Sequence, residues 1–222
     1  IFGRKLVSNP FSLYNGALVD EKDDISPLLR LLLELAKTRQ VRTLELRLYR
    51  PLPRDAVTGF SFVDIPPRVI PILALQETYE ETAKNYAKQF RTNLRKIKRD
   101  IENSGEFTAS VVADVTSGFR EFYKVLSRLY RNKHQMFPPP RSFFTGMERL
   151  LEGDDFKLYF LKRGCETVAG IVVLLFRRRA YYSWSASDGR FDRLGVATYL
   201  LDYVIQDLCQ RGIKTFDMGV TS

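Results

Sequence analysis

The sequence predicts a mixed α/β (α+β) fold, on three observations. The final stretch runs strand-like from Tyr181 to Ala186, passes through a polar loop from Ser187 to Gly195, becomes an apolar helix pattern from Val196 to Arg211, stops at Gly212 and returns as Ile213–Asp217. Two strand-like runs, Phe156–Lys162 and the largely apolar Thr167–Arg177, flank an Arg163-Gly164 turn and read as an antiparallel hairpin. Between and before these lie helical periodicities too long to be strands.

The elements follow in order. Lys5–Leu18 reads as extended, punctuated by Asn9-Pro10 and Asn15-Gly16. Ser26-Pro27 signals a helix start, because serine caps and proline suits the first turn. The leucines from Leu28 to Leu35 make the helix, ending near Gln40, apolar nearly all round and therefore expected to be buried. Thr43–Tyr49 alternates, with Leu44, Leu46 and Leu48 on one face, and is a strand. Pro51–Gly59 is a turn region, and Phe60–Leu75 is extended and broken by prolines.

One long helix is expected from about Thr78 to Asn103. Tyr86, Phe90, Leu94, Ile97 and Ile101 recur at spacings of 4, 4, 3 and 4 and share one arc. Phe107–Val112 is a strand, and Ser117 to about His134 a helix whose aromatic and leucine positions face the core. Pro138–Pro140 imposes a rigid extended link before a short helix over Ser142–Leu151.

The chain has 222 residues, 45% of them apolar, enough for one large domain or two small ones. No apolar run reaches the roughly 20 residues of a membrane span, and no charged-then-apolar leader appears. Cys165 and Cys209 lack metal-ligand spacing, so no metal site is expected and reduced thiols are the plain reading. The start at Ile1 and the stop after a strand suggest a piece of a longer protein. The net charge of +9 points to anionic partners such as RNA, phosphorylated carriers or an anionic lipid surface, or else only to solubility. Hydrolase, kinase and metalloenzyme motifs are absent.

Several residues carry candidate chemistry. The loop into the last helix offers Arg190, Arg193, Gly195, Val196 and Ala197 to an anionic acyl donor, because unpaired N–H groups and the helix dipole favour an anion there. The alternative is an ordinary strand-to-helix connection. Lys84, Lys88, Arg91, Arg95 and Lys98 form a basic stripe with no acid between Lys84 and Arg99. The stripe reads as phosphate-contacting or as a solvated face. His134, the only histidine, suits removal of a proton from an attacking amine; a cap or surface role is the alternative. Asp217 ends the last strand, where it orients an amine, accepts a proton or pairs with an arginine. Tyr182 and Trp184 are expected on one strand face, lining a substrate channel or packing in the core, with Tyr181 on the other.

The stretch from Gln89 through Gly219 resembles the FemAB-like branch of the GNAT acyltransferase superfamily. Phe90–Ile97 resembles its arginine-rich helix, and Asn132–Pro138 followed by Phe143-Phe144 its His–Pro–Phe-Phe segment. Val168-Ala169-Gly170 and Phe216-Asp217-Met218-Gly219 resemble its hairpin and closing strands. Ser8-Asn9-Pro10-Phe11 and Tyr14-Asn15-Gly16 look like upstream pieces of the same family.

The resemblance implies tandem GNAT-like modules: residues 1–75 as the remainder of an incomplete first one, and residues 76–222 as the second, carrying the long basic helix 78–103. It also implies an acyltransferase that moves an acyl or aminoacyl group from acyl-CoA or aminoacyl-tRNA to an acceptor amine. His134 would then lie near the second module's cleft. The tRNA-dependent variant would act on a cell-wall peptidoglycan precursor, with tRNA or a phosphorylated lipid carrier as partner, in the cytoplasm or peripherally at the inner membrane face. A non-catalytic binding module is the third implied class. The family's phosphate loop normally leads with a basic or glutamine residue. Gly195 and Ala197 fit that loop, Asp192 does not, and Arg190 and Arg193 flank it as substitutes.

Overall fold

The computed structural model describes residues 3–8, 24–47, 63, 69–151 and 154–219. The chain divides into two compact units, residues 1–68 and 69–222. In the first, β1 (Lys5–Val7) pairs in parallel with β2 (Thr43–Glu45). Glu45 accepts ion pairs from Lys5 and Arg47. Helix α1 spans Ser26–Thr38. Its capping differs from expectation: Ser26 is the first helical residue, and the Asp24 carboxylate takes both its N–H and its hydroxyl. The all-round burial expected of α1 is not found. Leu29 and Ala36 are buried, while Leu28, Leu31 and Leu35 face solvent. The turn expected at Pro51–Gly59 and most of the two extended runs lie outside the described residues.

The second unit is a six-stranded sheet of order β3-β8-β7-β6-β5-β4. Its strands are β3 (Ile72–Ala74), β4 (Phe107–Val111), β5 (Phe156–Arg163), β6 (Glu166–Phe176), β7 (Arg179–Ser187) and β8 (Thr215–Asp217). All neighbours are antiparallel except β7 and β8. β3 lies within this unit, because Ile72–Ala74 pairs with Thr215–Asp217.

The expected long helix is two: α2 (Tyr79–Lys84) and α3 (Lys88–Ser104). The last turn of α2 tightens, with Asn85 N–H donating to the Thr82 carbonyl and Tyr86 N–H to that of Ala83. The Thr82 hydroxyl bonds back to the Thr78 carbonyl, competing with the regular ladder. The Arg91 guanidinium then takes the Lys84 carbonyl.

Helix α4 spans Val115–Leu129, starting two residues earlier than expected because Asp114 caps it. A π-helical turn over Tyr130–His134 follows, then α5 (Arg141–Leu150) and, after β7, α6 (Val196–Gln210).

Strand alternation sorts the core into two layers. Tyr159 and Leu161 of β5 face α6 and α3, with Val196, Leu200, Val204 and Leu208 of α6 fully buried against them. Each such side chain contributes roughly 1.5–3 kcal/mol by leaving water. Leu158 and Phe160 face α4 and α5, where Phe119, Phe122 and Phe144 meet edge and face. Gly170 is in contact with that layer: an added Cβ would come within 2.8 Å of the Phe122 ring.

Candidate active site

The site grows from one topological fact. The parallel pairing of β7 and β8 covers only Arg179–Tyr181 against Thr215–Asp217. β7 runs on to Ser187, while β8 ends and Met218 N–H turns to the Pro71 carbonyl. Past Tyr181 no described strand pairs with that edge of β7. The direction of its backbone groups follows from one bond, Asp188 N–H to the Val168 carbonyl at 2.8 Å. Asp188, Ala186 and Trp184 therefore aim their amides and carbonyls at β6, and by alternation Ser185 and Ser187 aim theirs into the gap. Neither serine was singled out by sequence reasoning, since backbone direction depends on register.

A bulge shapes the same strand. Val172 opposes Trp184 and Val173 opposes Tyr182, so Ser183 is the extra residue. The bulge reverses the alternation. Tyr182 packs with the α6 layer against Phe216, and Trp184 with the α4 layer against Phe143 and Phe144. The two therefore lie on opposite faces, and the shared face expected of them is corrected. Burial raises the Tyr182 hydroxyl pKa above its ordinary value.

Beyond β7 the chain forms a 3₁₀ turn over Gly189–Leu194 and enters α6 through Gly195. Gly195 has φ +73°, and a Cβ there would lie 2.7 Å from Cδ1 of Ile97. Glycine thus meets two demands, a left-handed backbone and contact with α3. No side-chain hydrogen bond caps α6, so its first amides have no side-chain acceptor. The Val196 side chain is buried beneath them and Ala197 is exposed.

The two arginines of this loop differ. Arg190 is held: it donates to Asp188 at 2.7 Å and to Glu166 at 2.5 Å, and stacks on Phe191. Arg128 joins both carboxylates at 3.3 and 3.2 Å. These four side chains and Asn132 line a cavity of about 300 Å³. Arg193 is exposed, and the charge of Asp192 is offset by Lys133 at 3.6 Å.

Hydrogen bonds from Arg190 hold the carboxyls of Asp188 and Glu166 below the usual carboxylate range. A carboxylate whose pKa is lower folded than unfolded stabilises above its unfolded value and loses that contribution as pH falls through the folded one. Stability is therefore expected to drop below about pH 4. Asp188→Asn should lower stability at neutral pH and flatten that acid limb, as read from chemical unfolding across pH.

The other expected residues are dispersed. His134 is exposed at the end of the π-helical turn, its ring edge-on to Tyr130 at 5.3 Å. Asp217 is buried at the end of β8 and accepts the Gly219 N–H at 2.9 Å. Of the basic stripe, Lys84, on α2, and Lys88 and Arg95, on α3, are exposed and Arg91 is half-buried. Lys98 instead pairs at 2.7 Å with the buried Asp202, which also accepts from Tyr79 and Gln206.

The fold and the site can now be set beside known proteins. Residues 88–222 match the family described as Acetyltransferase (GNAT) domain, and the chain belongs to that family of acyltransferases. Among solved structures it is similar to FemX, at 15% identity over 96% of this chain and 74% of that one, with a TM-score of 0.63. It is also similar to the C-terminal (DUF2156) domain of a putative lysylphosphatidylglycerol synthetase from Agrobacterium fabrum, at 13% identity over 100% of this chain and 66% of that one, TM-score 0.63. L-PGS from Bacillus licheniformis matches at 17% identity over 90% and 61%, TM-score 0.56. The chain thus spans less than two thirds of the length of the last two, and these likenesses speak to the fold. No curated protein sequence matches the chain. Among the described residues no helix is long and apolar enough to cross a membrane.

Proposed function

We propose that the chain transfers an acyl or aminoacyl group from an activated donor to an acceptor amine, with the donor laid along the open edge of β7. The observation that carries this is the gap itself: two outward-facing amides, Ser185 and Ser187, lead to the uncapped start of α6. The donor's anionic part would sit on the first amides of α6, beside Arg193. Its carbonyl would accept from a β7 amide. The amine lone pair attacks that carbonyl carbon, and the oxyanion is stabilised by the same N–H. The carbon–sulfur or carbon–oxygen bond then breaks, and the leaving group takes up a proton as the amine gives one up. Holding both reactants supplies much of the rate, and no covalent enzyme intermediate is required.

His134 and Asp217 are proposed as the proton-handling groups, and Tyr182 and Trp184 as channel walls on opposite faces. Acyl-CoA is the donor that the family favours. One observation favours aminoacyl-tRNA instead: Asp192 stands at the leading basic position while Arg190 is tied to two carboxylates. Lys88, Arg91 and Arg95 would then meet RNA phosphates, and a peptidyltransferase on a cell-wall precursor at the cytoplasmic membrane face is the corresponding finer reading. A structural relative named for lysylphosphatidylglycerol synthesis is compatible with an aminoacyl donor.

Calorimetry with acetyl-CoA, and salt-dependent binding of aminoacyl-tRNA, test this. Ala197→Asp places a carboxylate at an exposed first-turn position, where it suits the helix dipole but repels an anionic donor. Donor binding should weaken about tenfold with thermal stability unchanged or higher. Binding indifferent to this variant would remove the donor from α6. Failure of both donors to bind at low salt would leave only the non-catalytic module. A tRNA donor would show a steep salt dependence, reduced by Arg91→Glu with Arg95→Glu.

A further inference from the structure

The turn after α4 displays a feature that the proposed transfer does not use. Phe137 is 96% exposed and Met136 65%. Their position is fixed by the backbone. Gln135 adopts φ +51°, Met136 N–H returns to the Tyr130 carbonyl at 3.2 Å, and Pro139 is buried three residues on. A proline-stiffened segment therefore holds an apolar pair out into solvent. Arg131 and Arg141 flank it, and among the described residues no carboxylate pairs with either. Of the acids near this turn, Asp192 is matched by Lys133, and Glu166 and Asp188, which share a cavity with Asn132, are matched by Arg128 and Arg190.

Phe176 at the opposite end of β6 offers a contrast. It is 62% exposed and sits among Arg177–Arg179, but the Arg177 guanidinium covers its ring at 5.5 Å. Phe176 closes the 11-residue strand β6, at the end away from Glu166.

We propose that Met136 and Phe137 form a wedge that docks this protein on an anionic bilayer, the two side chains entering the acyl-chain boundary while Arg131 and Arg141 meet headgroup phosphates. An exposed aromatic and thioether beside guanidiniums that pair with no carboxylate among the described residues matches both layers of such a surface, apolar below and anionic above. Hydrocarbon removes from water the two side chains that the fold leaves wet. The Lys133–Asp192 contact ties the wedge to the loop that enters α6, so docking would bring the candidate donor site to the membrane surface. The proposal deepens the peripheral location read above but is independent of the transfer chemistry, because its readout is partition and not donor binding.

The test is flotation of the full chain with vesicles of phosphatidylcholine plus phosphatidylglycerol, against phosphatidylcholine alone. The mixed vesicles should carry the protein upward and the neutral ones much less. Phe137→Ser should weaken partition about tenfold or more, and Arg131→Glu with Arg141→Glu by a similar factor that shrinks with salt. Phe176→Ser should leave partition unchanged, and thermal unfolding should be the same in all of these variants. The proposal is overturned if the unaltered chain ignores mixed vesicles, if Phe137→Ser floats as well as it does, if Phe176→Ser loses as much, or if RNA rather than vesicles is what the tip retains.

Discussion

Gly195→Val is expected to lower unfolding free energy by about 3 kcal/mol and to abolish donor binding. Two costs add. A β-branched residue at φ +73° carries a left-handed penalty of roughly 1–2 kcal/mol. Its Cβ would also meet Ile97 at 2.7 Å, an overpacking worth typically about 1–3 kcal/mol. The components separate in a double-mutant cycle. Ile97→Ala makes room for the new side chain without relieving the backbone, so the pair should couple by about 1 kcal/mol or more. Denaturant unfolding of the four proteins checks this, and strictly additive costs would show that α3 does not press on the loop. Donor binding should stay lost in the double variant, because the first turn of α6 depends on the left-handed residue itself.

Asp202→Ala is expected to cost roughly 1–3 kcal/mol, since it removes the acceptor that satisfies the partly buried Lys98 ammonium and the Tyr79 hydroxyl. Asp202 is 3% exposed and accepts from Lys98, Tyr79 and Gln206, which lie on three different helices. Desolvation, followed by the Asp202 hydrogen bond, raises the Tyr79 hydroxyl pKa well above its ordinary value, so that group stays a donor. Tyr79→Phe should cost only about 1 kcal/mol, the net worth of one hydrogen bond. Replacing Asp202 by Leu and Lys98 by Met together should recover most of the loss, because an apolar pair removes the desolvation penalty along with the charge. Urea midpoints distinguish these outcomes. A double variant as unstable as Asp202→Ala would mean that the ion pair, and not its satisfaction, fixes α2 and α3 on α6.

Much of the second unit was legible in the residues. The hairpin, the strands over Phe107–Val111 and Tyr181–Ser187, and the helix from Val196 appear close to where period and punctuation place them. These signals are local, set by alternation, by Gly164 at a turn and by Gly195 and Gly212 at the ends of α6. The break between α2 and α3 was not legible. The apolar spacing from Tyr86 to Ile101 continues through Lys88 without interruption, whereas α2 closes on a tightened turn whose Lys84 carbonyl accepts from the Arg91 guanidinium. The site divides in the same way. Gly195 and the uncapped start of α6 follow from the sequence pattern. The engagement of Arg190 with Glu166, 24 residues away, and of Lys98 with Asp202, 104 residues away, does not, because no local preference announces a distant carboxylate.

The residues alone determined the class: alternating helices and strands, a glycine-bearing loop before a final helix, and motifs in the order of a GNAT acyltransferase. Periodicity and turn chemistry act over a few bonds and are written in neighbouring side chains. Tertiary structure alone decided how β7 is used. The extra residue at Ser183 reverses which face Tyr182 and Trp184 occupy, and the three-residue pairing with β8 exposes the amides of Ser185 and Ser187. Both depend on strand register, which is set by the packing of whole layers against one another and has no signature in any single stretch of chain.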